Sequence, residues 1–413
     1  MAVSTKEKTF LVSAYACEPN EGSEPGVGWN WAVELSKHHR VIVITRSNNK
    51  DKIEKYKYRE KYPNLSFVYC EVPKYLSFWK RGQRGVHLYY VMWQYMCFLE
   101  ATKICKKQKI DYTMTVTFGN MWMPTFMYKL PCEFIWGPLG GGEGVPKQLW
   151  SRLSQKQRFF ERIRKLNKTF PITNPWLSAA CKKAKLIIAR TEDTYQCIPQ
   201  KYCDKCEIMI ETGISNDDIT YFMGIKESQS METNKNDFII CGKMVPYKLF
   251  ELAVESFARA HLLHGSSRLH IVGDGPQLKK VEKLILKYQM QDSIILEGKL
   301  PREQTLKLMA SCRALLLTSS REGGSWVMFE AMLLKKPIIC FDTSGMHVVV
   351  TDKTGYLIPV SSYDDAIVAF SKAIEQSILD DPEEKGEAAY ARVIHDFTWE
   401  SKVKRMLQLI NQQ

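Results

Sequence analysis

Arg321-Glu-Gly-Gly-Ser-Trp-Val-Met-Phe-Glu330, followed by Ala331-Met332, is the stretch that decides the fold. An apolar run, Ala314-Leu-Leu-Leu-Thr318, precedes it. A helix-like run ending near Lys335-Lys336-Pro337 follows it. The predicted order is strand, glycine-bearing turn, helix. Ser325 is placed to cap that helix, which leaves the peptide N–H groups of Trp326, Val327 and Met328 free and pointing outward. Free amides at the positive end of a helix dipole, reached over Gly323 and Gly324, suit a diphosphate. Glu322 lies in the turn and Glu330 about a turn and a half into the helix. A carboxylate does not bind phosphate, but it accepts hydrogen bonds from the vicinal hydroxyls of a sugar or a ribose. Amides for a diphosphate between carboxylates for two polyols describe, chemically, a nucleotide-sugar site.

Glu322 and Glu330 stand in the frame E-G-x-x-x-x-x-x-E-A-M, ahead of the strand-like Lys336-Pro-Ile-Ile-Cys340. This resembles the E-x7-E element of the family 4 GT-B glycosyltransferases. The resemblance runs through nearly the whole chain, strongest at 11–31, 116–143 and 237–358. Within that family it resembles the enzymes of bacterial capsule, exopolysaccharide and O-antigen synthesis.

At 413 residues the chain is long enough for two domains, and 45% apolar residues can build their cores. Its 12 cysteines show no disulfide framework. The lone C-x-x-C, Cys203 and Cys206, lacks the second pair a zinc site needs, so the cysteines read as reduced, cytosolic thiols. Met1 to Thr9 has no apolar signal-peptide core. No apolar run reaches the ~18–20 residues of a bilayer span. The nearest, Val86 to Leu99, carries His87 and Gln94. A net charge of +13 favours an anionic partner: a nucleotide, an anionic lipid surface or a nucleic acid. No nucleic-acid-binding module is present, which sets the last aside.

In the first half, Phe10 to Tyr15, Arg40 to Thr45, Leu65 to Val72, Asp111 to Phe118, Phe134 to Trp136, Ala184 to Ala189 and Glu207 to Ile210 read as strands. A glycine-rich loop, 16–28, is expected between the first strand and a helix from Trp29 to His38. Gly26 and Gly28 would let backbone approach a ligand there. That loop is similar to the S-E-P-G-V-G-W loop of bacterial polysaccharide transferases. The V-T-F-G-N and I-W-G-P-x-G-G-G-E pieces, 116–120 and 135–143, match them too. Relatives carry a histidine pair just before V-T-F-G, one member contacting the donor sugar; Met114 and Thr115 stand there instead. Lys74 to Gly85 is aromatic and basic, as an interfacial or acceptor-binding loop would be. Lys147 to Lys168 is amphipathic, with Leu149, Trp150, Leu153, Phe160 and Ile163 on one face among many cations. It reads as a helix that packs on its own domain or lies on an anionic membrane.

Residues 215–236 are polar and read as low in structure, which suits an interdomain linker. Beyond them Asp237 to Cys241, Leu269 to Val272 and Ser293 to Leu296 read as strands. The resemblance implies that Lys243 and Lys248, after Gly242, bind the donor diphosphate. It also implies that the turn containing Leu300 lies against the base. Lys243 replaces an arginine, Leu249 a glycine and Val348 an acidic residue. The expected organisation is α/β, of GT-B type. A first Rossmann-like domain would span 1–214 plus a returning helix at about 393–413, with a linker at 215–236. A second, nucleotide-sugar-binding domain at 237–392 would face the first across a cleft.

The function implied is a retaining glycosyltransferase acting on a glycan acceptor, the acceptors of this group being often lipid-linked. Glu322 would hold the donor sugar and Glu330 the ribose, with Lys243, Lys248 and the helix amides after Ser325, those of Trp326 and Val327 among them, neutralising the diphosphate. No D-x-D occurs, so no metal or other cofactor is expected. The protein would work in the cytoplasm, peripheral to the cell membrane. Two alternatives share these features: a catalytically altered scaffold or partner subunit, and a nucleotide-sugar epimerase or hydrolase.

Overall fold

The computed structural model describes residues 7–82, 84–169, 174–227, 236–264 and 267–412. The apolar runs form two parallel sheets. The first comprises β1 (Thr9–Ser13), β2 (Arg40–Arg46), β3 (Leu65–Cys70), β4 (Tyr112–Thr115), β5 (Glu133–Leu139), β6 (Ala184–Ala189) and β7 (Cys206–Ile208), in the order β3-β2-β1-β4-β5-β6-β7. The second comprises β8 (Phe238–Cys241), β9 (Leu269–Val272), β10 (Ile294–Gly298), β11 (Ala314–Leu317), β12 (Ile338–Phe341) and β13 (Gly355–Ile358), in the order β10-β9-β8-β11-β12-β13. Central strands are apolar on both faces because helices cover both. Phe10, Leu11 and Val12 pair with Val41, Ile42 and Val43, and all six are buried. In each sheet the strand order reverses once, between β1 and β4 and between β8 and β11. Open parallel sheets bind ligands beyond the carboxyl ends at such points.

The chain divides into two compact units. One contains 1–142, 167–213 and 399–413; the other contains 143–166 and 214–398. This differs from the division expected from sequence in three places. The segment 143–166 groups with the second unit, not the first. Its Glu161 is buried, accepts the Val145 N–H at 3.1 Å and pairs with Arg321 at 3.1 Å, while the Arg152 guanidinium lies 3.9 Å over the Tyr363 ring. The stretch 215–236, expected to be low in structure, opens with a helix, Asn216–Glu227. Ser215 and Asp218 cap it reciprocally: the Asp218 N–H donates to the Ser215 hydroxyl at 3.1 Å and the Ser215 N–H to the Asp218 carboxylate at 3.0 Å. The return to the first unit comes at Trp399, not near 393. Phe397 stays in the second unit, 5.3 Å from the Phe329 ring, whereas Trp399 packs edge-on against Trp31 at 6.0 Å. Residues 228–235 of the expected linker lie outside the described residues.

The first helix also starts earlier than expected, at Ser23 rather than Trp29, and ends at Ser36. Val86–Lys107 is a helix whose Tyr89, Trp93, Cys97, Ala101 and Ile104 are buried at three- and four-residue steps. Among the described residues no helix is long and apolar enough to cross a membrane. All twelve cysteines are free.

Candidate functional site

In the second unit, the loops leaving β8 and β11 are bonded to each other at the reversal of strand order. Beyond β8 the chain passes Gly242 and Lys243 into a short turn, Pro246–Lys248. Beyond β11, the Thr318 hydroxyl donates to the carbonyls of Lys248 and Leu249, both at 3.0 Å. The Ser320 amide and hydroxyl donate to the carbonyl of Tyr247 at 2.8 and 2.9 Å. Leu249, where relatives carry glycine, adopts φ 46°, ψ 48° and is buried. A left-handed leucine costs about 1 kcal/mol against glycine, and here the hydroxyl bonds and the burial of its side chain offset it.

This stitching brings two of the predicted residues together. Lys248 Nζ lies 3.1 Å from Glu322 Oε1, with both side chains largely buried. The Ser319 hydroxyl donates to the same Glu322 oxygen at 2.8 Å. Gly242 lies under this pair: a Cβ there would stand 3.1 Å from Lys248 Nζ. Behind it, a Cβ on Gly273 would meet the Gly242 carbonyl at 1.9 Å, so the loop after β9 is seated directly on the loop after β8. The 322–324 turn is held from the other side. Gly345 N–H donates to the Glu322 carbonyl at 2.9 Å, and a Cβ at Gly345 would come 1.6 Å from the Gly323 oxygen. Only glycine fits that crossing.

The helix opened by the turn runs Trp326–Leu333 with Ser325 at its N-cap position, as expected. The Ser325 side chain makes no capping bond, and Met328 N–H donates to the Ser325 carbonyl at 3.1 Å. The three open amides expected from sequence are therefore two, on Trp326 and Val327. Glu330 is mostly buried and receives the Nε–H of Arg302 at 3.0 Å. Burial pushes its carboxyl above the usual range, Arg302 pulls it back and Asp218 adds to the rise. Lys243 is exposed on its turn and contacts none of these groups, and Leu300 is half-buried in the turn before Arg302.

Sequence reasoning missed Arg302 and Arg321. Arg321 adjoins Glu322, bonds Glu161 and lies 5.0 Å over the Tyr247 ring. No local pattern marks either arginine, because both partners are distant in sequence. The helix carrying Asp218, Tyr221 and Phe222 did have a signal, the Ser215-x-x-Asp218 capping box.

Gly26 and Gly28 lie in the first unit and inside its first helix rather than in a loop. A Cβ on Gly28 would sit 2.1 Å from the Ala16 carbonyl, and one on Gly26 2.0 Å from that of Glu21. What approaches them closely is the chain's own backbone. At the carboxyl edge of the same sheet, Glu24 accepts Phe118 N–H at 3.2 Å, and Arg190 pairs with Glu211 at 2.7 Å. Burial pushes the Glu24 carboxyl up to about 7, helped by Glu211 and opposed by Arg190. Met114 and Thr115 are buried, and the Thr115 hydroxyl is 3.4 Å from that of Thr125.

Residues 224–392 match the family described as glycosyl transferases group 1. The chain is 28% identical to the poly(ribitol-phosphate) alpha-N-acetylglucosaminyltransferase of Staphylococcus aureus (strain COL), over 41% of this chain and 34% of that protein. It spans less than half the length of the curated relatives it matches first. Among solved structures it resembles a glycosyltransferase from Rickettsia africae ESF-5, with a TM-score of 0.62, 16% identity and 99% of each chain covered. It also resembles Anabaena HepE, solved with UDP and glucose, with a TM-score of 0.57, 14% identity, and 98% of this chain and 100% of that one covered. Two parallel sheets, each reversing its strand order once, accord with that likeness; the fold is GT-B, and residues 224–392 of its second unit match the glycosyl transferases group 1 model.

Proposed function

We propose that the protein is a retaining glycosyltransferase that moves a sugar from a nucleoside diphosphate sugar to a lipid-linked glycan in bacterial surface polysaccharide synthesis. The observation that carries this reading is the Lys248–Glu322–Ser319 cluster over Gly242, at the β8/β11 reversal and at the head of the Trp326–Leu333 helix. The Lys248 ammonium, ion-paired with Glu322, keeps N–H donors for diphosphate oxygens. The amides of Trp326 and Val327 add the positive end of a helix dipole. Lys243, exposed on the neighbouring turn, supplies further positive charge once an anion is present. As the glycosidic bond breaks, the leaving diphosphate gains charge, and cations and dipoles already in place stabilise it without reorganising. Glu322, oriented by Lys248 and Ser319, accepts hydroxyls of the donor sugar; Glu330 accepts those of the ribose.

The reading includes independence of divalent metal, which the lack of a D-x-D supports. UDP is the first nucleotide to try, since HepE was solved with it. Membrane attachment through Gln155–Thr169 is supported by its exposed Phe159, Phe160 and Leu166 beside exposed Arg162 and Lys165. Attachment would hold the protein at the cytoplasmic face, next to a lipid-linked acceptor.

Glu322→Gln tests the assignment. The variant is expected to bind UDP within about threefold of wild type and to lose at least a hundredfold in turnover with the cognate donor, as loss of one transition-state contact does. Unchanged turnover would remove Glu322 from the reaction.

A further inference from the structure

Arg302 carries a second, unassigned part of this site. It is the first residue of the helix Arg302–Ser311 and reaches across to the helix bearing Glu330. Its Nε–H is 3.0 Å from Glu330 Oε1, and its guanidinium carbon lies 5.9 and 5.8 Å from the ring centres of Tyr221 and Phe222. Arg302 is half exposed, whereas the Glu330 side chain is only 14% exposed. Among the described residues the other carboxylate oxygen, Oε2, accepts no hydrogen bond.

We infer that Arg302 is a positioning residue for nucleotide recognition. It holds Oε1 of Glu330 so that the carboxylate stays ionised and presents Oε2 to the two ribose hydroxyls. The inference rests on the proposed role of Glu330 at the ribose. Two environments compete at Glu330. A carboxylate this buried tends to take up a proton, and a protonated carboxyl loses acceptor strength towards a diol. The groups facing Glu330 act in both directions: Arg302 favours the charged form, while Asp218 on the neighbouring helix opposes it. Cys241 at the end of β8 also feels Glu330, and burial keeps that thiol protonated. Arg302 is thus the cation that opposes the effect of burial on Glu330. The Tyr221 and Phe222 rings flank its guanidinium and limit the directions it can take.

The test compares binding of UDP and 2′,3′-dideoxy-UDP by wild type, Arg302→Gln and Arg302→Lys, from pH 5.5 to 8.5. Wild type is expected to prefer UDP. Arg302→Gln is expected to lose about tenfold in UDP affinity at pH 7, and little for the dideoxy analogue, with the loss deepening as pH falls. Arg302→Lys restores the charge and should recover most of it. Melting temperatures show whether each variant is folded, and if Arg302→Gln is not, the lysine variant and wild type still give the pH profile. If wild type binds both nucleotides equally, the ribose assignment of Glu330 fails. If wild type discriminates and Arg302→Gln discriminates equally with the same pH profile, the ribose assignment stands and the role of Arg302 is overturned.

Discussion

Replacing Lys402 by methionine should stabilise the first unit. Lys402 lies on the last helix, Trp399–Gln412, is buried, and its Nζ donates to the Ile210 carbonyl at 2.5 Å. Burial pulls its pKa from 10.5 down to about 7; the Glu211 carboxylate resists this and Arg405 adds to it. A lysine that titrates this much lower in the native state costs that state on the order of 5 kcal/mol at and below neutral pH. Methionine fills similar volume without the charge, but leaves the Ile210 carbonyl without this donor, at a cost of about 1–3 kcal/mol. The expected net gain is therefore roughly 2–4 kcal/mol at pH 7. The sign with pH follows from proton counting. Between about 7 and 10.5 the unfolded chain binds a proton at this lysine that the native chain does not, so wild-type stability rises with pH by up to about 1.4 kcal/mol per pH unit. Urea unfolding of both proteins at pH 7, 8, 9 and 10, followed at the transition that includes the Trp31–Trp399 pair, measures this. The advantage of Lys402→Met should shrink towards pH 10. A variant less stable than wild type by the same amount at every pH would show that Lys402 is accommodated as a charged, satisfied partner, and would refute the argument.

Three further outcomes are expected. Burial pulls the His270 pKa down, but its bonds to Glu297 at 2.8 Å and Asp237 at 3.5 Å outweigh that and hold it above the ordinary value. Its contribution is then complete below about pH 6.5 and is lost as pH rises through the raised value, so His270→Gln should cost roughly 1 kcal/mol more at pH 5.5 than at pH 8.5 in denaturant melts. Gly345→Ala places a methyl 1.6 Å from the Gly323 carbonyl and should move the 322–324 turn, lowering UDP affinity at least tenfold in calorimetry while the first unit melts as before. Flotation with anionic liposomes should be lost at high salt and in the triple variant Arg162→Gln, Arg164→Gln, Lys165→Gln; flotation indifferent to both would place any membrane contact elsewhere.

The parallel sheets were legible because their strands are unbroken apolar runs such as Val41-Ile-Val-Ile44 and Ala314-Leu-Leu-Leu317. A buried parallel strand has no other way to look. The β13 strand, Gly355–Ile358, was not legible because it opens on a glycine and its tyrosine and leucine are only half-buried, so it makes no unbroken apolar run. The turn at Glu322 was legible because its residues are local to one another. What was not legible depends on partners far along the chain. The basic helix at 155–169 looked like an element of the first half, but Glu161 reaches Arg321, 160 residues away. Glu330 was visible in the E-x7-E frame; the arginine that holds it was not, since a single Arg302 at the start of a helix is indistinguishable from a solvated one until the two helices are placed side by side. The glycines at 26 and 28 show the converse limit. Sequence marks a need for close approach, but not whether a ligand or the chain's own carbonyl does the approaching.

The central claim is that the second unit binds a nucleoside diphosphate sugar through Lys248, Glu322 and the Trp326–Leu333 helix. The most direct measurement is the melting temperature of the wild-type protein against a panel of nucleoside diphosphates and their sugars, without added metal, repeated with Lys248→Ala. One nucleoside diphosphate and its sugars should raise the wild-type melting temperature in a concentration-dependent way and leave Lys248→Ala unmoved. A well-folded wild type that responds to none of them, or a Lys248→Ala that responds equally, would contradict the account.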